Sequence, residues 1–117
     1  MPRAARVRCG PERSSVDDVT EHHVLSITSA TVSPEAEAAV TQAYRDVTSQ
    51  LPHAVLHTVL VKGDANDWQI ITLWRSREQL EEYRRQVGTP AAVKIFQDAG
   101  GKPTVAVFDV AHEAATI

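Results

Sequence analysis

The chain has 117 residues, 43% of them hydrophobic and 23% charged, which is the composition of one ordinary globular domain. Its 12 basic and 15 acidic residues leave a formal charge of −3, which argues against a nucleic-acid footprint. No run of about 18 apolar residues offers a membrane span, and the single cysteine, Cys9, excludes an internal disulfide and any Cys-x-x-Cys metal motif.

Residues 1–21 carry four arginines and two prolines among few apolar side chains. They predict a flexible or loosely docked arm, with the folded domain over residues 22–112 and a short tail over 113–117. The basic start lacks the apolar core of a secretory signal, and Glu12, Asp17 and Asp18 weaken a transit-peptide reading, so a cytoplasmic location is expected. Residues 22–32 (HHVLSITSATV) interleave β-branched, Ser and Thr positions and predict a first strand. Ser33-Pro34-Glu35 is a helix start, with Ser33 as cap. Ala36, Val40, Ala43, Tyr44, Val47 and Leu51 then recur at steps of three and four as one apolar stripe, until Pro52 stops the helix.

Residues 53–61 (HAVLHTVLV) and 68–75 (WQIITLWR) read as two strands joined by the turn-rich Lys62-Gly63-Asp64-Ala65-Asn66-Asp67, a hairpin. Ser76 with Gln79 forms a capping-box pattern for the next helix, whose apolar face is Leu80, Tyr83 and Val87, and Gly88 ends it. Thr89-Pro90 opens a short helix to about Ala99, burying Val93, Phe96 and Ile95, and residues 103–112 (PTVAVFDVAH) close as a strand. The order β-α-β-β-α-(α)-β is the split βαβ of a ferredoxin-like α+β fold with an antiparallel sheet.

Such a sheet carries helices on one face only, yet its strands are apolar on both. Trp68, Ile70, Thr72 and Trp74 oppose Gln69, Ile71, Leu73 and Arg75. In strand two, Val55, Val59 and Val61 oppose Ala54, Leu56 and Leu60, and in the last strand Val105, Val107 and Asp109 oppose Ala106, Phe108 and Val110. An uncovered face of this kind exceeds what soluble monomers expose, so a second copy of the same sheet is the expected cover, giving a homodimeric α+β barrel.

The segment from Trp68 to Tyr83, a strand ending in Trp followed by a Ser-capped helix with a Leu and then an aromatic, resembles the antibiotic biosynthesis monooxygenase (ABM) family, over about residues 22–112. The resemblance implies a pocket between sheet and helices in each subunit. It also implies oxidation of a small phenolic or quinol substrate by O₂ without metal or flavin, through a substrate anion that reacts with O₂ directly. Asn66, Trp68 and Trp74 are its local candidates. A haem-degrading branch of similar proteins uses a helix His and a strand-one Asn. Here residues 76–99 contain no His, and strand one offers Ser26, Thr28 and Ser29, which disfavours that reading.

The catalytic candidates are thus His57, Asn66 and Trp74. Trp68, Thr72, Tyr44, Tyr83, Phe96 and Phe108 are candidates for substrate binding, with no metal ligand and no cofactor. Each has a plainer explanation. Trp68 and Trp74 suit packing, and the tyrosines can bury their rings and leave the hydroxyl at the edge. His57, whose imidazole is a natural general base, also suits a structural strand position, as Asn66 suits the turn. Arg84-Arg85 with Glu81-Glu82 reads as a solvated helix face. Two functions compete: a cofactor-independent monooxygenase, and a non-catalytic dimer that binds or responds to a small ligand. An open cavity holding His57 or Asn66 beside Trp74 would favour the first, a closed and packed interior the second.

Overall fold

The computed structural model describes residues 22–115. The expected arm, Cys9 and the last two residues of the tail lie outside them. The elements are β1 (Val24–Thr31), a 3₁₀ turn (Pro34–Ala36) running into α1 (Glu37–Thr48), β2 (Val55–Lys62), β3 (Asp67–Trp74), α2 (Arg77–Val87), α3 (Ala91–Asp98) and β4 (Thr104–Asp109). The four strands form one sheet in the order β2-β3-β1-β4, every neighbouring pair antiparallel. This is the ferredoxin-like α+β arrangement. No helix among the described residues is long and apolar enough to cross a membrane.

Local chemistry sets the boundaries. Ser33 stands at the start of the 3₁₀ turn but makes no side-chain cap; the start rests on Pro34, whose missing N–H costs nothing there. Ser76 Oγ accepts the amide N–H of Gln79 at 3.2 Å, so the second helix is capped as its sequence predicts. Gly88, at φ 73°, turns the chain out of α2 in a conformation that L side chains rarely adopt. Gly101 serves a close approach instead. A Cβ there would stand 3.2 Å from the carbonyl oxygens of both Phe96 and Thr31, so its absence lets the end of α3 lie against β1.

Strand pairing assigns the faces. Val24, Ser26, Thr28 and Ala30 of β1 lie on the helix side with Trp68, Ile70, Thr72 and Trp74 of β3. The edge strand β2 departs from simple alternation. Val55 pairs with Trp74 and His57 with Leu73, an irregularity that holds one extra residue. Val55, Thr58 and Leu60 therefore share the helix side, while His57, Val59 and Val61 share the other. The expectation that Val55, Val59 and Val61 share a face is corrected by this bulge.

The core is divided. One cluster joins Ala30, Val32, Val40, Trp68, Ile70, Ile95 and Phe96; a smaller one joins Val24, Trp74 and Leu80. Val47, Leu51 and Val87, all expected on buried stripes, are exposed. For Val47 and Leu51 the reason is that α1 ends beside a cleft rather than over packed sheet.

Candidate active-site cleft between sheet and helices

The gap between the two core clusters is an open cleft of about 670 Å³, mouth included. Ile70 and Ile95 of one cluster and Trp74 and Leu80 of the other line it, so it lies where the two halves of the core fail to meet. The end of α1, the last turns of α2 and the start of α3 form its walls, through Val47, Leu51, Tyr83, Ala91 and Val93. The sheet forms its floor, and there the apolar pattern is broken by hydroxyls from three strands.

Those hydroxyls lie in register. Thr58 of β2 is paired with Thr72 of β3, and Thr72 with Ser26 of β1, so the three stand in one row across the sheet. Tyr44 Oη donates to Thr58 Oγ1 at 3.2 Å, and Thr58 and Thr72 share a hydrogen bond of 3.2 Å between their Oγ1 atoms. Three hydroxyls joined by two hydrogen bonds keep one proton unspent. Ser26 Oγ accepts the buried indole N–H of Trp74 at 2.9 Å and retains its own proton. Tyr83 Oη likewise accepts the Ala91 amide at 3.0 Å and retains its own. The Tyr83 ring lies 5.1 Å from that of Trp74, tilted by 44°, which fixes both rings at one end of the cleft.

Of the residues singled out in the sequence, Trp74, Thr72, Tyr44 and Tyr83 line this cleft. The other five do not. His57 is exposed on the helix-free side of the sheet, paired with Leu73, so the sheet itself separates it from Trp74. Asn66 sits in the β2–β3 turn with φ 64°, its carbonyl accepting the Val32 amide at 2.9 Å, at the end of β3 remote from Trp74. Trp68 is buried in the larger cluster, and its indole N–H finds no partner. Phe96 is fully buried beside it, and Phe108, 51% exposed, pairs with Leu25 on the open face.

Ser26, Thr28, Thr58 and Arg84 also line the cleft, none of them among the candidates that the sequence offers. For the first three the signal was present, since a polar residue at a helix-facing strand position breaks the expected pattern. For Thr58 the bulge concealed it. Arg84 looks like surface charge in sequence; its neighbour Arg85 does pair with Glu82 on the solvent side, holding that carboxyl below the usual range.

Among the described residues, no His, Asp, Glu, Cys or Lys lines the cleft. It therefore offers no imidazole or carboxylate as general base and no His or Cys to haem iron. What it carries is donors. The Trp74 indole, the Ala91 amide and the Arg84 guanidinium are donors at its lining, and the first two feed a hydroxyl and polarise its proton. A small hollow elsewhere gathers His22, His23, His112 and Glu113, with His23 Nδ1 bonded to Glu113, but no three metal-ligating side chains converge among the described residues.

No family model and no curated protein matches the sequence. Solved structures do match the fold. A putative antibiotic biosynthesis monooxygenase from Caulobacter crescentus aligns with a TM-score of 0.63 at 15% identity, over 79% of this chain and 92% of that one. The protein Rv0793 from Mycobacterium tuberculosis aligns at 0.61 and 21%, over 80% and 99%. A putative antibiotic biosynthesis monooxygenase from Nitrosomonas europaea aligns at 0.61 and 12%, over 84% and 99%. At such identities it is architecture that is shared, and the chain has the ferredoxin-like α+β fold of the antibiotic biosynthesis monooxygenase structures.

Proposed function

We propose that the cleft binds a small hydroxylated aromatic compound and that the chain is a cofactor-independent monooxygenase acting on it. The observation that carries this reading is the pairing of apolar walls with a floor of polarised hydroxyls beside Trp74. The walls suit a flat ring, and the donors suit an oxygen that carries negative charge. The naming of structures with this fold supports the same kind of chemistry.

With no side-chain base at hand, ionisation of the substrate falls to its own acidity. The hydroxyls of Ser26, Tyr83 and the Thr58–Thr72 pair favour the anion over the neutral phenol or enol, and Trp74 holds its ring. The anion adds O₂ at carbon, and the hydroperoxide so formed loses water to leave a carbonyl. One oxygen atom ends in the product and the other in water, with both electron pairs supplied by the substrate. A second copy covering the helix-free sheet face completes the proposed molecule, since Leu25, Ile27, Val59, Ile71, Leu73 and Phe108 give that face a solvent-facing apolar surface across all four strands.

The second reading, a ligand-binding dimer without catalysis, is favoured by the one feature just named, the lack of an ionisable base in the cleft. Oxygen uptake separates the two. Purified full-length protein mixed with a panel of dihydroxyarenes and anthrone-type phenols should consume O₂ faster than the uncatalysed background. Binding of these compounds with no uptake across the panel would establish the binding protein instead.

A further inference from the structure

We propose that Arg84 forms an anionic subsite at the cleft mouth, so that the ligand is a hydroxylated aromatic bearing a carboxylate or similar anion at the end remote from its hydroxyl. The inference rests on the reading of the cleft as an aromatic site and adds a second point of recognition to it. Arg84 lies in the last turn of α2 and is the one charged side chain that lines the cleft among the described residues. Its side chain is 34% exposed, which places it at the edge, whereas Ser26 and Thr72 on the floor are buried. A ligand that meets the floor through one oxygen can present a second group to this guanidinium at the mouth.

Arg84 is incompletely used by the protein. Its Nη1 stands 3.5 Å from a carboxylate oxygen of Glu81, an exposed i,i+3 pair whose geometry is too long for a strong charge-assisted hydrogen bond. Glu81 does not itself line the cleft. A guanidinium has five N–H donors in a planar fork. Nε and Nη2 are left to engage a planar oxyanion side by side, the geometry that distinguishes arginine from lysine as a carboxylate reader. Partial burial at the cleft edge, and the want of any acidic side chain in the lining, reduce the competition that makes ordinary surface arginines weak binders. Glu81 remains as the one internal rival for the guanidinium.

The test compares 6-hydroxy-2-naphthoate with its neutral carboxamide, two probes of one size, by equilibrium dialysis against the full-length protein. The wild type should bind the acid about tenfold more tightly than the amide, the scale of one charge-assisted hydrogen-bonded contact. Arg84→Gln should bring the ratio close to one, through a larger loss of acid binding than of amide binding. Glu81→Gln should raise the ratio by freeing the guanidinium, a gain that misfolding does not imitate. Amide and acid binding equally to the wild type, or a preference that survives Arg84→Gln, would overturn the subsite and leave the aromatic cleft standing. Failure of both probes to bind would overturn the cleft reading together with the subsite.

Discussion

Ser26 illustrates how one hydroxyl serves both stability and the cleft. It accepts the Trp74 indole N–H in a buried setting, so Ser26→Ala leaves that donor unsatisfied. The expected cost is about 1–3 kcal/mol, seen as a lower urea midpoint with an unchanged slope. Ligand affinity should fall as well, because the donor proton disappears. Thr72→Val removes a hydroxyl whose partner, Thr58, keeps Tyr44, so it should weaken binding of an anionic phenol with less damage to folding. Trp74 and the tyrosines could be singled out from sequence because large aromatic residues advertise themselves. Of the small hydroxyl residues Thr72 shares that legibility through its place beside Trp74, whereas Ser26 and Thr58 stand out only once strand register sets them in a row with it.

At the scale of elements, both helix-end signals around α2 operate as their residues imply. Ser76→Ala should cost about 1 kcal/mol through loss of the Gln79 cap. Element type and order followed from periodicity and punctuation, since Pro34, Pro52, Ser76, Gly88 and Gly100-Gly101 mark chain reversals by their backbone chemistry. Two matters did not follow. The β2 bulge reverses the parity of the strand near its start, so Val55 parts from Val59 and Val61, with which alternation alone would group it. The exposed ends of the α1 stripe, Val47 and Leu51, read as core because periodicity reports apolar character and is silent on whether the facing surface is packed or hollow.

For the whole molecule, the helix-free sheet face governs the proposed assembly. Leu73→Lys sets an unpaired charge in its middle and should raise the dimer dissociation constant by roughly two orders of magnitude in sedimentation equilibrium. Far-UV circular dichroism should stay unchanged, because Leu73 points away from the subunit's own core. A wild-type chain that sediments as a single subunit at micromolar concentration would remove the dimer altogether. His57 belongs to this face and not to the cleft, so its replacement bears on assembly before it bears on turnover.

The irregularity in β2 has one more effect, at the rim of the sheet. β2 is an edge strand, and its outer backbone groups are a template on which a stray extended chain can zip. An extra residue there coils the rim and interrupts the even spacing of amides that such zipping needs. Excising Leu56 would straighten the rim, and fibrillar growth monitored by thioflavin fluorescence is where the loss of that safeguard should be seen.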